Sequence, residues 1–75
     1  MNVKTIRQNM TEAALSIETV MRGHPRISLK ELSAACGLNQ TSTEFIVEQM
    51  VYFGVVHRGA FGRYSLTSSY KDGRF

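Results

Sequence analysis

A chain of 75 residues with a formal net charge of +3 and a single cysteine holds at most one domain with a compact core, too small for a large catalytic cleft. Cys36 alone excludes an intrachain disulfide, no apolar run reaches the roughly 18 residues that span a bilayer, and the chain begins without a secretory signal pattern, so a cytoplasmic, non-membrane protein is expected. The charge is unevenly placed: Arg22, Arg26 and Lys30 precede, and Arg58, Arg63, Lys71 and Arg74 follow, a segment from Glu31 to His57 that lacks lysine and arginine and carries Glu31, Glu44 and Glu48. Basic edges on either side of an acidic segment suit a polyanion held at its flanks.

Val3, Ile6, Met10, Ala13, Ile17 and Val20 recur at alternating spacings of three and four, which places them on one stripe of a helix. The favoured reading is one helix from about Val3 to Met21, its first ten residues an N-terminal extension. The alternative starts the helix at Thr11 as N-cap and leaves residues 1–10 as a separate arm. Val3, Ile6 and Met10 exceed what so small a core needs to cover. They are candidate dimerisation residues, with folding back on the same domain the competing outcome.

Gly23-His24-Pro25 ends the helix, and Arg26-Ile27 forms a short extended piece. Ser28 opens a capping box with Glu31, and Gly37 closes that second helix in the left-handed conformation. Leu38-Asn39-Gln40 is the turn. Thr41 with Glu44 is expected to cap a third helix that ends at Gly54, with Thr43, Ile46, Val47, Met50 and Phe53 facing inward. Val55–Arg58 and Arg63–Thr67 then pair as a hairpin around Gly59-Ala60-Phe61-Gly62, setting Val56 opposite Leu66 and Arg58 opposite Tyr64. Residues 68–75 are expected to be a flexible tail. The fold class is therefore mainly α with a small β-hairpin: three helices and a two-stranded hairpin.

The ordered series Leu29, Leu32, Ala35, Gly37-Leu38, Ile46, Val47, Met50, Phe53-Gly54-Val55-Val56, then Arg58, Gly59 and Arg63-Tyr64-Ser65-Leu66-Thr67 resembles the winged helix-turn-helix DNA-binding domains of small prokaryotic and phage regulators. The resemblance covers residues 11–67. It implies a sequence-specific DNA-binding protein, a transcriptional regulator, whose third helix enters the major groove while the hairpin, or wing, lies on the backbone of double-stranded DNA. Carried over position by position, it implies DNA contacts by Lys30, Asn39, Gln40, Thr41, Ser42, Glu44, Phe45, Gln49, Arg58 and Arg63, with further phosphate contacts from Arg26 and His57. A homodimer would read two half-sites.

Where the family commonly carries arginine or lysine, this chain has Phe45 and Glu48. That departure motivates a second reading, a protein-interaction module acting as inhibitor or assembly adaptor through the acidic and aromatic face of the third helix. Phe45 is accordingly either local core or an exposed anchor for a protein partner. Cys36, His24 and His57 match no zinc spacing, Cys36 suits a packing position, and no catalytic constellation is visible. No metal, cofactor or enzymatic activity is expected.

Overall fold

The computed structural model describes residues 2–74; the outermost residues of the expected arm and tail, Met1 and Phe75, lie outside them. The elements in chain order are α1 (Val3–Gln8), α2 (Glu12–Gly23), β1 (Ile27–Ser28), α3 (Leu29–Cys36), α4 (Gln40–Tyr52), β2 (Val56–Arg58), β3 (Arg63–Leu66) and α5 (Ser68–Lys71). A short 3-10 turn, Ala60–Gly62, joins β2 to β3.

The expected single helix from Val3 to Met21 is broken in two. Asn9 caps α1 and its side-chain amide donates to the Thr5 carbonyl at 3.0 Å. Thr11 then restarts the chain as an extended N-cap whose hydroxyl accepts from the Ala14 N–H at 3.2 Å. Asparagine and threonine have short polar side chains that offer the backbone an alternative to the helical ladder, and here two of them stand two residues apart. The arm nonetheless lies on its own domain: Val3, Ile6 and Met10 are half-buried against the core.

α3 follows its sequence signals. Ser28 and Glu31 form both bonds of the capping box, and Gly37 closes the helix at φ 67°. α4 starts differently from expectation, because Asn39 and not Thr41 is its N-cap; the Asn39 Oδ1 accepts from the Ser42 N–H at 2.7 Å. Asparagine is the stronger cap of the two, and taking it places Thr43 in the core, where its hydroxyl donates to the Asn39 carbonyl at 2.9 Å. At the other end Gly54 adopts φ 80° and the Val55 N–H returns to the Met50 carbonyl at 2.9 Å, stopping the helix.

The hairpin register is as expected: Val56 faces Leu66, His57 faces Ser65 and Arg58 faces Tyr64. β1 adds a third strand, with Ile27 opposite Tyr64, so the antiparallel sheet runs β1-β3-β2. One face of the sheet closes on α2, α3 and α4 around Ile17, Met21, Leu32, Val47, Val55 and Leu66. The tail is a further correction. Thr67 caps α5 and donates to the Gly54 carbonyl at 2.7 Å, and Tyr70 is completely buried in the core. Burial of so large a ring offsets the entropy that would otherwise leave the segment frayed.

Tyr70 belongs to a charged cluster behind the helices. Glu18, fully buried on α2, accepts from the Tyr70 hydroxyl at 2.7 Å, from Arg22 at 3.1 Å one turn on, and pairs with Arg7 of α1 at 3.0 Å. The Arg22 guanidinium also lies 5.5 Å from the centre of the Tyr70 ring. Burial, reinforced by the Glu18 hydrogen bond, pushes the Tyr70 phenol up to about 12, and the hydrogen bond to Glu18 raises Arg22 further. One buried carboxylate thus ties the arm, α2 and α5 together.

Candidate nucleic-acid interface

One face of α4 is left open by the core. Thr43 and Val47 are buried and Ile46 half-buried, while Gln40, Thr41, Ser42, Glu44, Phe45 and Gln49 are exposed on the other side of the helix. The 3.6-residue period accounts for that division. Asn39 is exposed as well, but its side-chain oxygen is already committed to the cap. Lys30 is exposed in the first turn of α3, Arg26 is exposed just before β1, and His57 is exposed on β2.

The hairpin is fastened to this surface by two ion pairs. Glu48 of α4, expected to point outward, instead pairs with Arg58 of β2, and its second oxygen accepts from the Tyr64 hydroxyl of β3 at 3.0 Å. Glu31 of α3 accepts from Arg63 at 3.0 Å with the same oxygen that receives the Ser28 N–H at 3.1 Å. The bonds from Ser28, assisted by Arg63, hold the Glu31 carboxyl below the usual carboxylate range. The acidic segment read from sequence therefore spends two of its three carboxylates on the hairpin's arginines. Both pairs are open to solvent, with the Arg58 and Glu48 side chains 54% and 37% exposed, so they fix position at little energetic depth.

A second feature borders α4. Ile6, Met10, Ala14, Phe45, Ile46, Met50, Phe53 and Val55 line an apolar groove of about 570 Å³ between the arm and the helix. Phe45, 65% exposed, stands at its edge and is not core. Phe53, expected inward, is 66% exposed: the helix has ended one residue earlier, the chain turns at Gly54, and its ring rests edge-on against Tyr52 at 5.3 Å.

Several residues that shape this surface and the core behind it carry no decisive local signal in the sequence. Glu18 and Tyr70 had partial signals, the Glu18/Arg22 spacing of four and a threonine three residues before the tyrosine, but nothing local says that the two meet. Phe61 lies at the hairpin tip, within the connection formed by residues 59–62. It adopts φ 61° and ψ 28°, the only non-glycine residue with positive φ among those described, a conformation costing about 1–2 kcal/mol for an L-residue. Among the described residues no group of three or more metal-ligating side chains forms, and no helix is long and apolar enough to cross a membrane. Cys36 is half-buried, and burial raises its thiol pKa.

Three helices behind a hairpin sheet, with one helix face left open beside the hairpin, is the architecture of a winged helix-turn-helix domain, and solved structures carry the same fold. The chain is similar to RV1404 from Mycobacterium tuberculosis, with a TM-score of 0.81 and 18% identity over 93% of this chain and 52% of that one. It is similar also to a MarR family transcriptional regulator from Silicibacter pomeroyi DSS-3, with a TM-score of 0.80 and 22% identity over 92% of this chain and 53% of that one. A multiple antibiotic-resistance repressor (MarR) from Listeria monocytogenes 4b F2365 superposes with a TM-score of 0.77 and 19% identity over 89% and 48%. The chain spans about half the length of these structures. By sequence alone it matches no family model and no curated protein. The β2–β3 hairpin is the wing of this fold.

Proposed function

We propose that this chain is the DNA-binding domain of a transcriptional regulator, with α4 entering the major groove and the wing lying on the adjacent backbone. The observation that carries the reading is the joint surface: an exposed polar half of α4, held in fixed relation to the wing by Glu48, Arg58 and Tyr64. A duplex would meet helix and wing already positioned, so little ordering remains at binding. Gln40, Thr41, Ser42 and Gln49 supply donors and acceptors for base edges and phosphates, and Glu44 an acceptor for a cytosine amino group. Arg26 and Lys30, for which no side-chain ion pair forms among the described residues, supply cation, and the exposed His57 ring offers a hydrogen bond to phosphate. Arg58 and Arg63 exchange their carboxylates for phosphates, a step made inexpensive by the solvent exposure of both pairs.

The names of two of the similar structures, a transcriptional regulator and a repressor, support the same reading. The test is fluorescence anisotropy on a mixed-sequence duplex at rising salt. Binding should weaken steeply with salt, and Arg26→Ala with Lys30→Ala should flatten the slope by about 0.9 for each phosphate left without its cation. Absence of binding at low salt would sink the proposal.

The apolar groove favours a second reading, in which Phe45 and Phe53 anchor a protein partner beside Glu44. A protein that ignores duplex DNA at low salt, and whose partner dissociates on Phe45→Ala, would establish it instead. We also propose a homodimer through Val3, Ile6 and Met10, which keep part of their surface exposed after docking on the domain. Light scattering on the intact chain decides this; a monomer at all concentrations would end it.

A further inference from the structure

Phe61 is 93% exposed, the most exposed large hydrophobic residue among those described. The other three, Phe45, Tyr52 and Phe53, belong to α4 and its end, where Phe45 and Phe53 line one groove and Phe53 leans on Tyr52. Phe61 stands apart from them at the wing tip. The turn that presents it is well defined. Phe61 and Gly62 both have positive φ, 61° and 67°, the arrangement of a type I′ hairpin turn, and the Arg63 N–H closes it on the Ala60 carbonyl. The Gly59 N–H donates to the Arg63 carbonyl at 2.7 Å, an approach that a Cβ at Gly59 would crowd to 3.2 Å.

In such a turn the first central position favours asparagine, aspartate or glycine, which reach left-handed φ with least strain. A bulky aromatic there breaks the local rule without gaining any burial, and a strained, unburied side chain marks a contact made outside the chain. Charge narrows what that contact is. Residues 59–62 carry no ionisable side chain. The tip therefore meets its partner through the face and edge of one ring. A protein interface is built on a contiguous apolar patch, whereas a nucleic-acid base offers a stacking surface to a solitary aromatic.

We propose that Phe61 is a base-stacking wedge, entering the minor groove from the wing tip and parting one base step of a duplex seated on α4. This rests on the DNA-binding reading above. Apolar side chains that insert in this way unstack a step and untwist the duplex, so the effect is readable without knowledge of the target sequence.

The experiment uses the full chain and two probes: a mixed-sequence linear duplex for affinity, and a closed-circular plasmid relaxed by topoisomerase in the protein's presence for untwisting. Phe61→Asn removes the ring and supplies the residue the turn favours, so the variant folds. The wild type should bind and shift the plasmid's linking number; Phe61→Asn should lose roughly tenfold in affinity and leave the linking number unshifted; Phe61→Trp should retain both. A wild type that binds without shifting the linking number overturns the wedge alone, as does Phe61→Asn that binds and shifts like wild type. If Phe61→Asn changes only self-association in light scattering, the ring contacts protein and the proposal fails. A wild type that binds no duplex at low salt overturns the DNA reading and the wedge with it.

Discussion

Glu18 and Glu48 make the same kinds of bond on opposite sides of the domain. Each is a helical carboxylate that pairs with arginine and accepts from a tyrosine hydroxyl, Tyr70 at 2.7 Å for Glu18 and Tyr64 at 3.0 Å for Glu48. Glu18 is fully buried and joins three helices, whereas the Glu48 side chain is 37% exposed and joins one helix to the wing. Water decides what each is worth. A carboxylate sealed from solvent is held in place because removing any partner strands a buried polar group, while an exposed pair is screened and nearly neutral in energy. The first is suited to hold the fold together and the second to give way to a competing anion.

The sharpest way to break that comparison is Glu18→Ala, which strands the Tyr70 hydroxyl and frees the arm held by Arg7. Denaturant unfolding should register a loss of about 3 kcal/mol or more, and a loss below about 1 kcal/mol would reduce Glu18 to the rank of a surface pair. Tyr70→Phe should cost about 1.5–3 kcal/mol at neutral pH, as expected for a hydrogen bond to a charged group. It should also change the alkaline limb. Because the folded phenol is raised from 10.0 to about 12, its contribution is complete below pH 10 and is lost as the pH climbs toward 12, where the unfolded chain ionises first. Thermal melts across that window should fall more steeply for wild type than for Tyr70→Phe. Glu48→Gln keeps an acceptor for Tyr64 and should cost less than about 1 kcal/mol. The smallest effect belongs to Glu31. Its lowered carboxyl contributes stability above the unfolded value of 4.5 that fades as the pH falls through the folded value, so acid should loosen the start of α3 in wild type and not in Glu31→Gln, as read by amide hydrogen exchange.

The elements whose specification is local were legible in the sequence. The capping box of Ser28 and Glu31, the glycines at 37 and 54, and the alternation that sets Val56 opposite Leu66 act within a few residues or across one short hairpin. Where two local signals compete, the sequence alone does not say which prevails: Asn39 displaces Thr41 as cap, and Asn9 with Thr11 breaks an otherwise continuous apolar stripe. The order of the tail is not legible locally, because Tyr70 is held in a site whose walls come from elsewhere in the chain. At the candidate interface the exposed residues of α4 follow from helical period alone. The partners of Arg58 and Arg63 did not, since they depend on how the sheet sits against α3 and α4. The acidic segment between basic edges is visible in the sequence, but not that two of its carboxylates pair with the wing's arginines.

The central claim is that the wing's arginines are held by carboxylates they can exchange for phosphate. It is tested most directly by the salt dependence of duplex affinity for wild type, Glu48→Gln and Glu48→Gln with Arg58→Ala. Because Arg58 reaches phosphate in both proteins, Glu48→Gln should bind as tightly as wild type or more tightly with the same log-log salt slope, and the added Arg58→Ala should flatten that slope by about 0.9. A slope that Arg58→Ala leaves unchanged, or weaker binding by Glu48→Gln, would contradict the account.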